Sequence, residues 1–73
     1  MEIILPVFSS RLKTLRKECH KTQKDIAELL AKTERHYQDI EAGKINVSAT
    51  TLITPAQYFH VSTDYLPGLR EAR

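Results

Sequence analysis

Residues 34–39, "ERHYQD", crowd five hydrogen-bonding or charged side chains into six positions: Glu34, Arg35, His36, Gln38 and Asp39. As a set they suit recognition through hydrogen bonds. An arginine guanidinium is a planar fork that pairs with O6 and N7 of guanine, and a glutamine amide pairs likewise with N6 and N7 of adenine. Glu34 and Asp39 can accept from cytosine amino groups; they also repel phosphates, which lowers nonspecific affinity and penalises misdocking. His36 lies between the polar and apolar sides of the segment. The same pattern also suits the solvated face of an ordinary helix, so its meaning depends on the elements that carry it.

Other chemistry is poorly supplied. His20, His36 and His60 lack metal-ligand spacing, and Cys19 has no partner thiol, so neither a metal nor a cofactor is expected. Two glycines cannot build a glycine-rich phosphate loop, and 73 residues leave little room for a shielded active site, so no enzyme is expected. A lone cysteine fits a reducing compartment. The longest apolar run, "IILPVF", is broken by Pro6; it is too short to cross a membrane and lacks the features of a secretory leader. These features together predict one soluble, cytoplasmic domain with no membrane partner. Net charge is only +2, from 11 basic and 9 acidic residues. Six basic residues and one acid lie between Arg11 and Lys24, and the signs reverse from Asp25 to Glu41. The basic block suits either phosphates or a solvated helix face.

The elements that must position these groups are short. Residues 1–8 read as an extended arm, because Ile3, Ile4 and Val7 favour strands and Pro6 restricts its predecessor. Ser9 or Ser10 caps a helix running to about Glu18, with Leu12 and Leu15 on its inner face and Phe8 stapling its first turn. Thr22 caps a second helix, Asp25 complements its positive end, and Ile26, Leu29 and Leu30 form its stripe. Thr33 caps a third helix with Tyr37 and Ile40 inward, and Gly43 closes it with a left-handed residue. Ser48 caps a fourth, "SATTLITPAQYF", in which Pro55 predicts a bend or a late start. Ser62 caps a short fifth, "STDYL", stopped by Pro67 and Gly68. The expectation is an all-α domain over residues 9–69, with a loose tail at 70–73.

Two helices separated by a tight turn constitute a helix-turn-helix. From Arg11 to Gly68 the chain resembles the phage-repressor and Cro-like family, also called the Xre family. The likeness rests on "RLKTLRKE", "TQKDIAELL", "IEAGK" and "YFHVSTDYLPG" in that order. It implies a compact five-helix, lambda-repressor-like domain that binds double-stranded DNA. Residues 22–30 would be the positioning helix and 33–42 the recognition helix. Arg35 and Gln38 then lead as base contacts, followed by Glu34, His36 and Asp39. Thr22, Gln23, Thr33, Lys44, Asn46 and Lys24 are candidate phosphate contacts, with Gln23 on the family's phosphate-binding glutamine. Arg16 and Glu41 fall on the family's partly buried ion pair.

The resemblance further implies a transcriptional regulator, most simply a repressor, acting as a homodimer. Its dimer surface would be either the last helix, around Tyr65, Leu66 and Leu69, or the arm with Ile3 and Ile4 paired across a two-fold axis. Intramolecular packing of the arm stands beside these. The chain departs from the family pattern at four places: Ala31 stands where glycine is preferred, Lys32 where an apolar residue plugs the turn, Val47 for a proline, and Pro55 for a core leucine. Those departures keep a second class open, a protein-interaction module such as a toxin-binding antitoxin or an adaptor that has lost DNA binding.

Overall fold

The computed structural model describes residues 2–3, 7–45 and 47–73. Among these, four helices form: α1 (Val7–Glu18), α2 (Gln23–Leu29), α3 (Glu34–Glu41) and α4 (Ala49–Tyr58). Two short strands, β1 (Glu2–Ile3) and β2 (Val47–Ser48), pair antiparallel with Glu2 opposite Ser48 and Ile3 opposite Val47. The all-α class therefore holds, and no described helix is long and apolar enough to cross a membrane.

Local chemistry starts α2, α3 and α4. Thr22 accepts the Asp25 N–H and gives its own N–H to the Asp25 carboxylate, a reciprocal capping box. Thr33 accepts the His36 N–H, and Ser48 accepts that of Thr51. Apolar spacing then decides which face turns inward. Phe8, Leu12 and Leu15 of α1 recur at helical intervals and meet Ile26 and Ala27 of α2, Tyr37 and Ile40 of α3, and Leu52 and Ala56 of α4. Val47, Tyr65 and Leu66 complete the core.

Several expectations change. Phe8 lies inside α1 rather than before its cap, because the apolar stripe of Phe8, Leu12 and Leu15 reaches one turn further back. Ser9 is buried mid-turn and donates its hydroxyl to the Ile40 carbonyl at 2.6 Å, so it ties α1 to α3 and does not cap. The expected fifth helix is instead a series of turns, with Tyr65 N–H bonded to the Ser62 carbonyl. Too few residues separate the Ser62 start from Pro67, which has no N–H to donate, for a helical nucleus to propagate. α4 does not start late: it begins at Ala49, directly after Ser48, and Pro55 is fully buried within it.

Both termini pack within their own chain. Ile3 belongs to a strand paired within its own chain, so one edge of β1 is already occupied; Ile4 lies outside the described residues. Tyr65 and Leu66 are 9% and 0% exposed. They seal the core under α1, with the Arg11 guanidinium 4.2 Å from the Tyr65 ring centroid. Leu69, 74% exposed, is the outward member of the set expected to form a dimer surface. The tail at 70–73 lies against α1 rather than loose: Arg73 makes a two-pronged pair with Glu18 at 2.8 and 2.6 Å, and its carbonyl accepts the Ser62 N–H.

One device ends every helix. Lys21 N–H reaches the Arg16 carbonyl while His20 N–H reaches that of Lys17; the same pair of bonds recurs after α2, α3, α4 and the final turn. This is the Schellman arrangement, which requires a left-handed residue just past the helix. Those residues are His20, Ala31, Gly43, His60 and Gly68, all with positive φ. At Gly68 a Cβ would also stand 2.9 Å from Val7 Cγ1, so a side chain there would force Val7 to shift. Ala31, at φ 56°, carries the strain in the turn between α2 and α3. Left-handed alanine costs about 1–2 kcal/mol, partly offset because glycine has more freedom to lose on folding. Ala31 is exposed, so its methyl contributes little packing. Ala31→Gly is therefore expected to raise the melting temperature by roughly 4 °C in thermal unfolding, and a lowered midpoint would contradict the strain assignment.

Candidate nucleic-acid interface

α3 has a thin apolar face. Only Tyr37 and Ile40 are buried along its eight residues, so packing by itself leaves its rotation weakly specified. A polar clamp supplies the rest. The Glu41 carboxylate receives Arg16 Nε on Oε2 and Arg16 Nη2 on Oε1, each at 2.8 Å. Tyr37 Oη donates to Oε2 at 2.5 Å and Gln23 Nε2 to Oε1 at 3.3 Å. Arg16 Nη1 also donates to the Lys21 carbonyl at 2.9 Å. The ion-paired side chains are 11% and 5% exposed. One carboxylate therefore joins α1, the start of α2 and the end of α3.

The electrostatics follow from this geometry. Burial pushes the Glu41 carboxyl up, but hydrogen bonds from Arg16, Tyr37 and Gln23 outweigh it and hold the group below the ordinary carboxylate range. Burial, and then the hydrogen bond to Glu41, push the Tyr37 phenol well above its usual value. The Glu41 hydrogen bond raises Arg16, so the guanidinium stays charged. Tyr37 and Gln23 are the clamp members that residue types alone did not reveal. The signal for Tyr37 was its place one helical turn before Glu41.

With α3 held this way, Glu34, Arg35, His36 and Gln38 are exposed, and Asp39 is partly covered. Arg35 Nε lies 3.7 Å from Asp39 Oδ1. Gln38 is set apart from Arg35: it lines a shallow cleft of about 140 Å³ with Lys13, Gln23, Glu41 and Ala42. Lys13, on the near flank of α1, adds a cation beside this surface.

The candidate phosphate groups divide by what already occupies them. The Thr22 N–H is bonded to Asp25, whose carboxyl it holds below its usual range. The hydroxyl oxygens of Thr22 and Thr33 accept their capping amides, yet each hydroxyl retains a proton to donate. Gln23 gives one amide proton to Glu41 and retains a second. Lys24 and Lys44 are exposed, and Asn46 lies outside the described residues. Among the described residues no three histidine, cysteine or acidic groups converge as a metal site.

Comparison with known proteins places this arrangement. The family described as Helix-turn-helix matches residues 12–66. Among solved structures, the chain is similar to a transcriptional regulator from Listeria innocua, at 36% identity and a TM-score of 0.76. The match covers 81% of this chain and 55% of that one, so this chain spans little more than half of the neighbour's length. The comparison with curated proteins gives no match.

Two outcomes test the clamp. Glu41→Gln leaves the Arg16 charge largely buried without its counter-charge, a loss of about 3 kcal/mol for a buried pair. The midpoint should fall by more than about 10 °C in thermal unfolding, and an unchanged midpoint would remove the clamp from the account. Acid acts on the same group. Because the folded-state pKa of Glu41 is depressed, its stabilisation is complete above the ordinary value of 4.5 and is lost as pH falls through the lower folded value. Denaturant titrations should therefore show wild type losing stability below about pH 4.5 more steeply than Glu41→Gln, and parallel curves would contradict it.

Proposed function

The chain belongs to the helix-turn-helix family, and from that premise we propose that it is a sequence-specific double-stranded DNA-binding transcriptional regulator. α2 lies across the sugar-phosphate backbone, and α3 enters the major groove. The observation that carries this reading is the exposed row of Glu34, Arg35, His36 and Gln38 on a helix whose rotation is held by the Glu41 clamp. A reader must be rigid as well as polar, because a misplaced fork loses its paired bonds to guanine.

Within that reading, Arg35 and Gln38 are the leading base contacts, with Glu34 and His36 as further candidates. Phosphates are met by the hydroxyls of Thr22 and Thr33, the remaining Gln23 amide proton, Lys24, Lys44 and Asn46, with Lys13 added from the cleft. An eight-residue recognition helix spans few base pairs, so two copies on a near-palindromic site supply the affinity, their readers about 34 Å apart. Leu69 is the exposed apolar group best suited to that contact, and Ile3 is available only through the second edge of its strand. A bound regulator acts most simply by occluding its operator, which favours repression.

Mobility shift of purified protein against salt tests the proposal. On random duplex, log affinity should fall steeply with log salt, and Lys44→Ala should flatten the slope by roughly one unit. Arg35→Ala should cost about 1–3 kcal/mol on the selected site and little on random DNA. No shift on any duplex at low salt would overturn the reading and favour the interaction module.

A further inference from the structure

Arg35 and Asp39 sit one helical turn apart on α3, on the side away from buried Tyr37 and Ile40. Their side chains meet as an ion pair, Arg35 Nε to Asp39 Oδ1, at 3.7 Å. The two members are unequal. Arg35 is 81% exposed and Asp39 only 29%. The carboxylate is therefore a short, sheltered post, and the guanidinium is a long arm reaching from it. Contact is on the Nε side, which leaves the terminal Nη1–Nη2 edge to meet guanine O6 and N7 end-on.

Resting on the DNA-binding reading above, we propose that Asp39 is a specificity-determining positioning residue for Arg35 and reads no base itself. Three effects follow from the pair. An exposed arginine loses side-chain freedom when it docks, and an arm already restrained by Asp39 loses less. Phosphates compete for any cation near the groove, and the adjacent carboxylate weakens that sequence-independent pull. Where the base is not guanine, Arg35 has no paired acceptors and swings away. Asp39 is then left unpaired in a negative groove, so the wrong sequence carries an added penalty.

The test uses the full chain, the duplex chosen by binding-site selection, and duplexes in which each guanine is replaced in turn. Dissociation constants are measured for wild type, Asp39→Ala, Arg35→Ala and the double variant, with melting curves on each. Asp39→Ala should reduce guanine preference by about three- to tenfold at the same base pair that Arg35→Ala erases. It should also steepen the salt slope on random duplex by up to roughly one unit, since Arg35 is released toward phosphates. The double variant should bind more tightly than Arg35→Ala, because removing the abandoned carboxylate relieves the penalty. Asp39→Asn, nearly isosteric, should repeat the pattern of Asp39→Ala and guards against a folding defect.

Relaxed preference at a different base pair would mean that Asp39 reads a base directly, and would overturn the proposal. So would strictly additive losses in the double variant, or a uniform loss on all duplexes accompanied by a lower melting temperature. Failure of wild type to shift any duplex at low salt would overturn the DNA-binding reading itself, a result distinct from all three.

Discussion

A single carboxylate organises this molecule. Glu41 receives donors from Arg16, Gln23 and Tyr37, which come from three helices, and the ionised group has about four lone-pair sites to offer them. Its burial is tolerated because each oxygen is met twice and because Arg16 is itself tied to the Lys21 carbonyl. Tyr37 contributes twice, with its ring in the core and its hydroxyl in the clamp. An eight-residue helix with two buried side chains can roll on an apolar surface. A network with directional bonds at one end restricts that motion, and the outward row of polar groups inherits its orientation.

The second constraint lies at the helix ends. Short helices bury enough surface only if the chain reverses sharply between them, and the repeated left-handed closure provides those reversals. Gly43 and Gly68 adopt it without strain. His20, Ala31 and His60 adopt it at a cost that the surrounding packing must offset. Ala31 lies in the turn that sets the angle between α2 and α3, so backbone strain and the geometry of the interface meet at one residue.

The C-terminal segment helps to close the core. Tyr65 and Leu66 fill the space beneath α1, and the ring of Tyr65 faces the Arg11 guanidinium. The Arg73–Glu18 pair and the bonds of Arg11 to the Tyr65 and Arg70 carbonyls hold the tail across the same helix. In a chain of 73 residues the core has few layers, and apolar groups from an irregular segment are used as fully as those of the helices.

The amino-acid sequence by itself determined what depends on near neighbours. Thr22 with Asp25, Thr33 with His36 and Ser48 with Thr51 are local capping bonds, so the starts of α2, α3 and α4 were legible from residue type and spacing. The apolar spacing identified most of the core, and the motif order identified the family and the Arg16–Glu41 pair. What only the tertiary structure decided involves partners far apart in the chain. Ser9 could cap locally, yet Ile40, 31 residues away, takes its hydroxyl. The tail reads as loose from its letters, and its packing across α1 is set only by the fold. Gln23 joins Glu41 and flanks Gln38 only once α2 and α3 are docked. Capping and periodicity are short-range and are written in adjacent letters, whereas burial and the choice between competing hydrogen-bond partners are properties of the packed whole.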